Sequence, residues 1–219
     1  MRYTLPMSDF LDNTRSGYDA IAEEYAGHIF DELKDKPLDR ALLDRFAEMV
    51  KPLGIAADMG CGPGQIARYL HERGARVIGV DLSPRMIAVA KRLNPEIDFQ
   101  IGNMLALTNV PDATWGGIAA FYSIIHIPRA QIPDALREFH RVLVPNGILF
   151  LAYHRGDETL HPSEMWEIPV NMDFHYLERA AIEKNLEATC FEITEVIERA
   201  PYPQVEHPSQ RVYILARKM

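Results

Sequence analysis

Apolar residues recur along this chain with two different periods, and their alternation predicts its architecture. Tyr18, Ile21, Ala22 and Tyr25 stand at i, i+3, i+4 and i+7, which predicts an amphipathic helix over residues 14–27. Leu42, Phe46, Met49 and Val50 mark the buried face of a second helix over 38–50. Lys51-Pro52 closes it, because the residue before a proline avoids the α region. Downstream, short apolar runs predict strands over 53–59, 76–80, 97–101 and 116–122. Between them the spacing predicts helices over 65–72, 84–93 and 130–142, the second opened by Ser83-Pro84 as N-cap and first helical residue. Val144-Pro145-Asn146-Gly147 predicts a turn into Ile148–Tyr153, the most apolar strand of the chain. A helix over 177–188 and strands over 190–198 and 209–217 follow. Strands alternating with helices predict an α/β, doubly wound sheet. Residues 1–50 read as a helical cap on the same domain as 51–219, and the weakly periodic 154–176 as a lid-like insertion. A packed surface loop is the plainer reading of that insertion, and the N-terminal helix is the other candidate lid.

At 219 residues and 47% hydrophobic, the chain can bury one full α/β core with a small appendage. Acids outnumber bases 31 to 23, a net charge of −8, and the basic positions are scattered, so nucleic acid is not an expected partner. No apolar run approaches the roughly 18 residues of a membrane span, and Met1-Arg2-Tyr3-Thr4 lacks a signal peptide's apolar stretch. Two cysteines, Cys61 and Cys190, make no disulfide framework and fit a reducing cytoplasm. A monomer or homodimer is expected.

The densest chemistry lies in Asp58-Met59-Gly60-Cys61-Gly62-Pro63-Gly64, where a buried strand meets a helix. Glycines at every second position let a ligand touch bare backbone, and the amides opening the helix suit an electron-rich group. Asp58 adds a carboxylate that would repel a pyrophosphate and attract an ammonium. Arg76–Asp81 reads as the next strand, with Asp81 at its tip placed to accept both hydroxyls of a ribose. A nicotinamide enzyme would place the last glycine of G-x-G-x-x-G at position 65, which is Gln65.

In these residues the chain resembles the class I S-adenosylmethionine-dependent methyltransferases, over about Gly54 to Tyr153. The resemblance implies a Rossmann-like fold with a mostly parallel seven-stranded sheet and a C-terminal antiparallel hairpin. It implies S-adenosyl-L-methionine as cofactor, held by Asp58, Gly60, Cys61, Gly62 and Gly64 at the methionine end and Asp81 at the ribose. Leu82, Met86, Gly102, Asn103 and Met104 are the implied adenine surroundings; Asn103 stands where relatives usually carry an acid. Tyr18-Asp-x-x-Ala-x-x-Tyr25 matches a helix that covers the cofactor in relatives, with Phe121 and Tyr122 as further aromatic walls. Cys61 is read as a small loop residue, not a nucleophile.

A sulfonium loses its charge as the methyl leaves, so a dry aromatic pocket that aligns the reactants favours transfer. His126, at the end of the fourth strand, and His154, after the fifth, are the candidate catalytic groups, either as general base or as orienting groups. His161, His175 and His207 match no compact metal spacing, and no metal is expected. The expected activity is methyl transfer to a small-molecule acceptor at O or N. The alternatives are a nicotinamide-dependent oxidoreductase on a related fold and a non-catalytic binder of the same cofactor.

Overall fold

The structure, a computed structural model, describes the backbone of residues 7–219 and the side chains from Phe10 onward. The first six residues of the expected cap lie outside the described residues. Helices α1 (Met7–Ile29) and α2 (Pro37–Val50) come first, joined through a short 3-10 turn at Glu32–Asp35. The alternation then runs β1 (Ile55–Met59), α3 (Gln65–Glu72), β2 (Arg76–Asp81), α4 (Pro84–Leu93), β3 (Asp98–Ile101), β4 (Trp115–Phe121), α5 (Ile132–Val142) and β5 (Leu143–His154). Four two-residue strands follow: β6 (Thr159–Leu160), β7 (Glu164–Met165), β8 (Ile168–Pro169) and β9 (Phe174–His175). Helix α6 (Arg179–Ala188) and strands β10 (Phe191–Arg199) and β11 (Arg211–Lys218) complete the chain.

Seven strands form one sheet in the order β10-β11-β5-β4-β1-β2-β3. Strands β1 to β5 are parallel, and β11 and β10 close the edge antiparallel, as expected. Winding reverses between β1 and β4, so the crevice beyond their carboxyl ends is the switch point at which ligands of such sheets bind.

Strand periodicity assigns each side chain to a layer. Ala57, Met59, Ile118, Ala120, Leu149 and Leu151 face α5 and α6. Their alternates Ala56, Ala119, Phe121, Phe150 and Ala152 pack against Leu43, Phe46 and Val50 of α2 and Ile66 and Leu70 of α3. A third cluster joins Ile21, Ala22 and Ala26 of α1 to Met86 and Val89 of α4 and to Val170 and Met172 of the 154–176 segment.

Two boundaries depart from expectation. Strand β5 begins at Leu143, and the Val144–Gly147 turn is a bulge inside it. Trp115 pairs with Leu143 but Gly117 with Ile148, and Asn146 takes φ +63°. The 154–176 segment holds two small ribbons, β6 with β9 and β7 with β8, too short for any period to show. Arg129 ties this segment down, donating to the carbonyls of Asp157, Glu158 and Tyr176 and to Thr159 Oγ1.

Two glycine substitutions should separate packing from propensity. Gly64 has φ +86°, and an added Cβ would lie 2.8 Å from both Asn94 and Phe99. Left-handed strain and overpacking together should make Gly64→Ala destabilising by about 2–4 kcal/mol. Gly27 on α1 has no atom within 4 Å of its added Cβ, so Gly27→Ala should stabilise by roughly 0.5–1 kcal/mol. Urea midpoints that move together in one direction would contradict this account.

Candidate functional site

A cleft opens above β1 and β4 and encloses about 840 Å³ of space outside protein atoms, part of it open to solvent. Gly60, Cys61, Gly62, Asp81, Leu82, Gly102, Asn103, Met104, Phe121, Tyr122, Tyr18, Tyr25 and His126 all line it. Expected site residues from four strand ends and α1 are thus brought together. Asp58, Gly64, Met86 and His154 are not among its walls.

The glycine loop is held from both ends by carboxylates. Asp58, 1% exposed, accepts the Ala67 N–H at 2.9 Å. Ala67 is the third residue of α3, whose N-cap is Gly64, so Asp58 supplies the capping oxygen that glycine lacks. Burial pushes the Asp58 carboxyl up to about 8, with the Asp81 charge adding to the rise. One oxygen of the side chain is thus taken by the helix, and Asp58 is not among the cleft walls, where its expected role would place it. Asp81 accepts Gly62 N–H and Ser83 N–H, both at 2.8 Å, and burial raises its pKa as well. Each Asp81 oxygen keeps a lone pair for a further donor. Gly62 takes φ +52° with no atom nearer its missing Cβ than Tyr25 Cε1 at 3.6 Å, which leaves backbone bare to the cleft.

Two other expected loop and helix contacts are structural. Gly64 packs against Phe99 and Asn94, and Met86 is fully buried between α4 and α1. Asn103 lines the cleft, but its Oδ1 already accepts the Leu105 N–H at 3.0 Å, so only a second lone pair is left for a ligand.

Each recognisable position of the Tyr-Asp-x-x-Ala-x-x-Tyr helix has a task. Asp19 Oδ1 accepts from Ser83 Oγ at 2.5 Å and Arg85 N–H at 3.1 Å, which fastens α1 to the first turn of α4. Ala22, 2% exposed, lets the two helices approach, and Tyr25 leans over Gly62. Tyr18 and His126 are 2.7 Å apart. His126 Nδ1 donates to the Asp173 carbonyl at 2.9 Å, since a carbonyl can only accept. Nε2 is therefore the bare nitrogen, and Tyr18 donates its hydroxyl proton to it. Burial drops the His126 pKa to about 4.

His154 lies one layer behind the cleft. It is 5.0 Å from the Tyr122 ring, stacks on Tyr176 and bonds Ser209 Oγ at 2.7 Å. Burial and the Arg211 charge lower its pKa to about 3. Of the two candidate histidines, His126 lines the cleft and His154 does not. Pattern reading missed Ser123, whose Oγ donates to Met59 O at 2.6 Å, and Gln65, a cleft wall. It also missed the backbone carbonyl of Asp173, which carries no sequence signal. Among the described residues no group of three or more His, Cys, Asp or Glu could hold a metal ion, and no helix is long and apolar enough to cross a membrane.

Comparison with known proteins agrees with this geometry. Residues 56–147 match the family described as "Methyltransferase domain". A 2-phytyl-1,4-naphtoquinone methyltransferase of Thermosynechococcus vestitus is 36% identical over 98 residues, 42% of either chain. A malonyl-[acyl-carrier protein] O-methyltransferase of Halorhodospira halophila is 31% identical over 153 residues, 67% of this chain and 49% of that one. The chain thus spans about half the length, or less, of these curated relatives. The solved Burkholderia thailandensis 1,6-didemethyltoxoflavin-N1-methyltransferase, with bound 1,6-didemethyltoxoflavin and S-adenosylhomocysteine, superposes with a TM-score of 0.76. It is 19% identical and covers 100% of this chain and 92% of its own.

The His126 environment makes stability pH-dependent. The folded state keeps the ring neutral down to about 4, whereas the unfolded chain takes the proton near 6.5. The unfolded state binds more protons between those values, so this contribution is complete above about 6.5 and lost as pH falls towards 4. His126→Gln should remove about 2–3 kcal/mol of that acid-induced loss, leaving the similar contribution of His154 in place. Parallel stability–pH curves for variant and wild type would show that His126 protonates freely in the folded state.

Proposed function

From the premise that this chain carries a methyltransferase domain of the class I S-adenosylmethionine-dependent family, we propose that it transfers a methyl group from S-adenosylmethionine to a small-molecule acceptor at oxygen or nitrogen. The observation that carries this reading is the glycine loop at the switch point, with bare backbone at Gly62 and Asp81 beside it in one cleft. The fit is chemical. Asp81 retains lone pairs for two hydroxyls, the loop amides suit a carboxylate, and Leu82 and Met104 offer apolar faces to a base. The cofactor supplies a methyl group made electrophilic by its sulfonium. Cys61 and Cys190 are both free thiols, in keeping with a cytoplasmic setting.

Several residues of this chain would serve that chemistry. Helix α1 lays Tyr18 and Tyr25 over the cleft, where they would shield a bound cofactor from water, and burial holds both phenols neutral. His126 is occupied by the Tyr18 hydroxyl, so we assign it the orienting role rather than that of general base. Tyr18 in turn keeps its oxygen lone pairs available to an acceptor's N–H or O–H. The quinone and toxoflavin-precursor methyltransferases among the relatives support a flat, heteroatom-bearing acceptor; the malonyl-[acyl-carrier protein] enzymes mark a carrier-linked acceptor as the competing class.

S-adenosylhomocysteine should stabilise the protein by roughly 2.7 kcal/mol at one hundred times its dissociation constant, with no shift from a nicotinamide dinucleotide. Asp81→Ala should weaken its binding by about 1.5–3 kcal/mol, measured by titration calorimetry. Wild-type melting unmoved by saturating S-adenosylhomocysteine would end the cofactor reading.

A further inference from the structure

The place of Asp58, off the cleft walls, leaves a chemical gap. A ligand with an amino-acid end brings a carboxylate and an ammonium to the glycine loop. Loop and helix amides suit the carboxylate, whereas the ammonium needs oxygen atoms that carry no proton and are not already committed. One Asp58 oxygen is committed to the Ala67 N–H, and the spare lone pairs of Asp81 lie at the β2 end, where the ribose reading places two hydroxyls.

Gln65, the first residue of α3, is 8% exposed and lines the cleft together with Gly60, Gly62 and Tyr25. Its Nε2 donates to Glu32 Oε1 at 3.0 Å, while its buried Oε1 has no partner among the described residues. The amide orientation is not arbitrary. Flipping it would press Oε1 against a carboxylate oxygen, two acceptors in contact, so Glu32 holds the nitrogen towards itself and turns the oxygen away. Glu32 is fixed in turn by Lys36, which bonds its other oxygen and lies 3.8 Å from Glu206. The chain Lys36–Glu32–Gln65 therefore fixes, on a residue of the cleft wall, an amide oxygen that can only accept. A buried acceptor without a donor is unfavourable, and a cationic N–H donor is the partner that satisfies it best.

We propose that Gln65, oriented by Glu32 and Lys36, is the receptor for the α-ammonium of the cofactor's amino-acid end, the task that the loop's own carboxylate does not perform. This rests on the S-adenosylmethionine reading and extends it to a residue and a charge preference. The same oxygen would repel a phosphate placed at the loop, so Gln65 also selects an amino-acid end over a pyrophosphate.

The test is calorimetric binding of two probes, S-adenosylhomocysteine and its analogue lacking the α-amino group. Wild type should prefer the amine-bearing probe by roughly 10–100-fold, the span of one hydrogen bond to a charged group. Gln65→Leu should weaken S-adenosylhomocysteine by about that factor and change the deaminated analogue by less than about twofold. Gln65→Met keeps the side-chain length without an acceptor and should behave alike, which covers the case in which the leucine variant fails to fold. Glu32→Gln should give a smaller loss confined to the amine-bearing probe, because the Gln65 amide is then free to flip. Equal weakening of both probes would make Gln65 a packing residue, and unchanged affinity would place the ammonium elsewhere; either result overturns the proposal while the cofactor reading stands. Wild-type protein that binds neither probe would overturn both.

Discussion

Everything at this site depends on a backbone loop that has given up side chains and must be held by other means. Gly60, Gly62 and Gly64 take φ of +72°, +52° and +86°, where L side chains are strained. Such a segment loses much conformational entropy on folding and makes few contacts of its own. Asp58 and Asp81 offset this from the two flanking strands, one accepting the third amide of α3 and the other the amide of Gly62. A hydrogen bond contributes about 0.5–1.5 kcal/mol, and more where the acceptor is charged, which helps fix a loop that packing cannot. Burial pushes Asp58 up to about 8, with the Asp81 charge adding to the rise, so Asp58 gives way. The cleft is thereby left with one carboxylate, at the β2 end.

The cover of the cleft is fixed to the same framework. Asp19 binds the amide end of α4, Tyr18 binds His126 after β4, and His126 binds the Asp173 carbonyl of the segment after β5. Trp166 completes the layer, stacked on His28 at 4.5 Å and edge-on to Tyr25. Trp166 and Glu167 both hold positive φ, at 50° and 65°, in the tight turn between β7 and β8. That strain persists because the aromatic contacts with α1 favour the turn that carries it. The two segments read from sequence as rival lids pack against one another, and among the described residues it is α1 that lines the cleft.

Much of this was legible where local chemistry and period agree. Helix α3 spans 65–72 and α4 spans 84–93, as read from the glycine loop and from Ser83-Pro84, and Ser83 Oγ does accept the Met86 N–H. The place of Asp58 was legible too, in the period of its strand. Strand period two places it with Ala56 on the face below α3, not at the open tip. The same alternation sets His154 on the Phe150 and Ala152 face, away from the space that His126 reaches. The ribbons of the 154–176 segment and the Asp173 carbonyl were beyond reach, because two-residue strands have no period and a backbone acceptor has no residue type.

Behind the cleft, a buried polar chain decides what its far wall offers. Asp39, fully buried, receives Arg199 Nη2 at 2.7 Å and the Tyr213 hydroxyl at 2.9 Å. Arg199 also donates to Tyr213 at 2.7 Å, so the Tyr213 proton is committed to Asp39. The Tyr122 hydroxyl, 3.1 Å away, must then be the donor to Tyr213. Tyr122 sits at φ +55° just past β4, a strained position held by this chain and by the Phe121 and His154 rings. Its proton is drawn away from the cleft, as that of Tyr18 is drawn to His126. Both phenols stay neutral because burial raises their pKa values, so neither wall residue has a free proton to give. What they present is oxygen lone pairs. An acceptor bearing its own N–H or O–H can bond to them and be aligned, whereas a fully deprotonated anion would find no donor at either position.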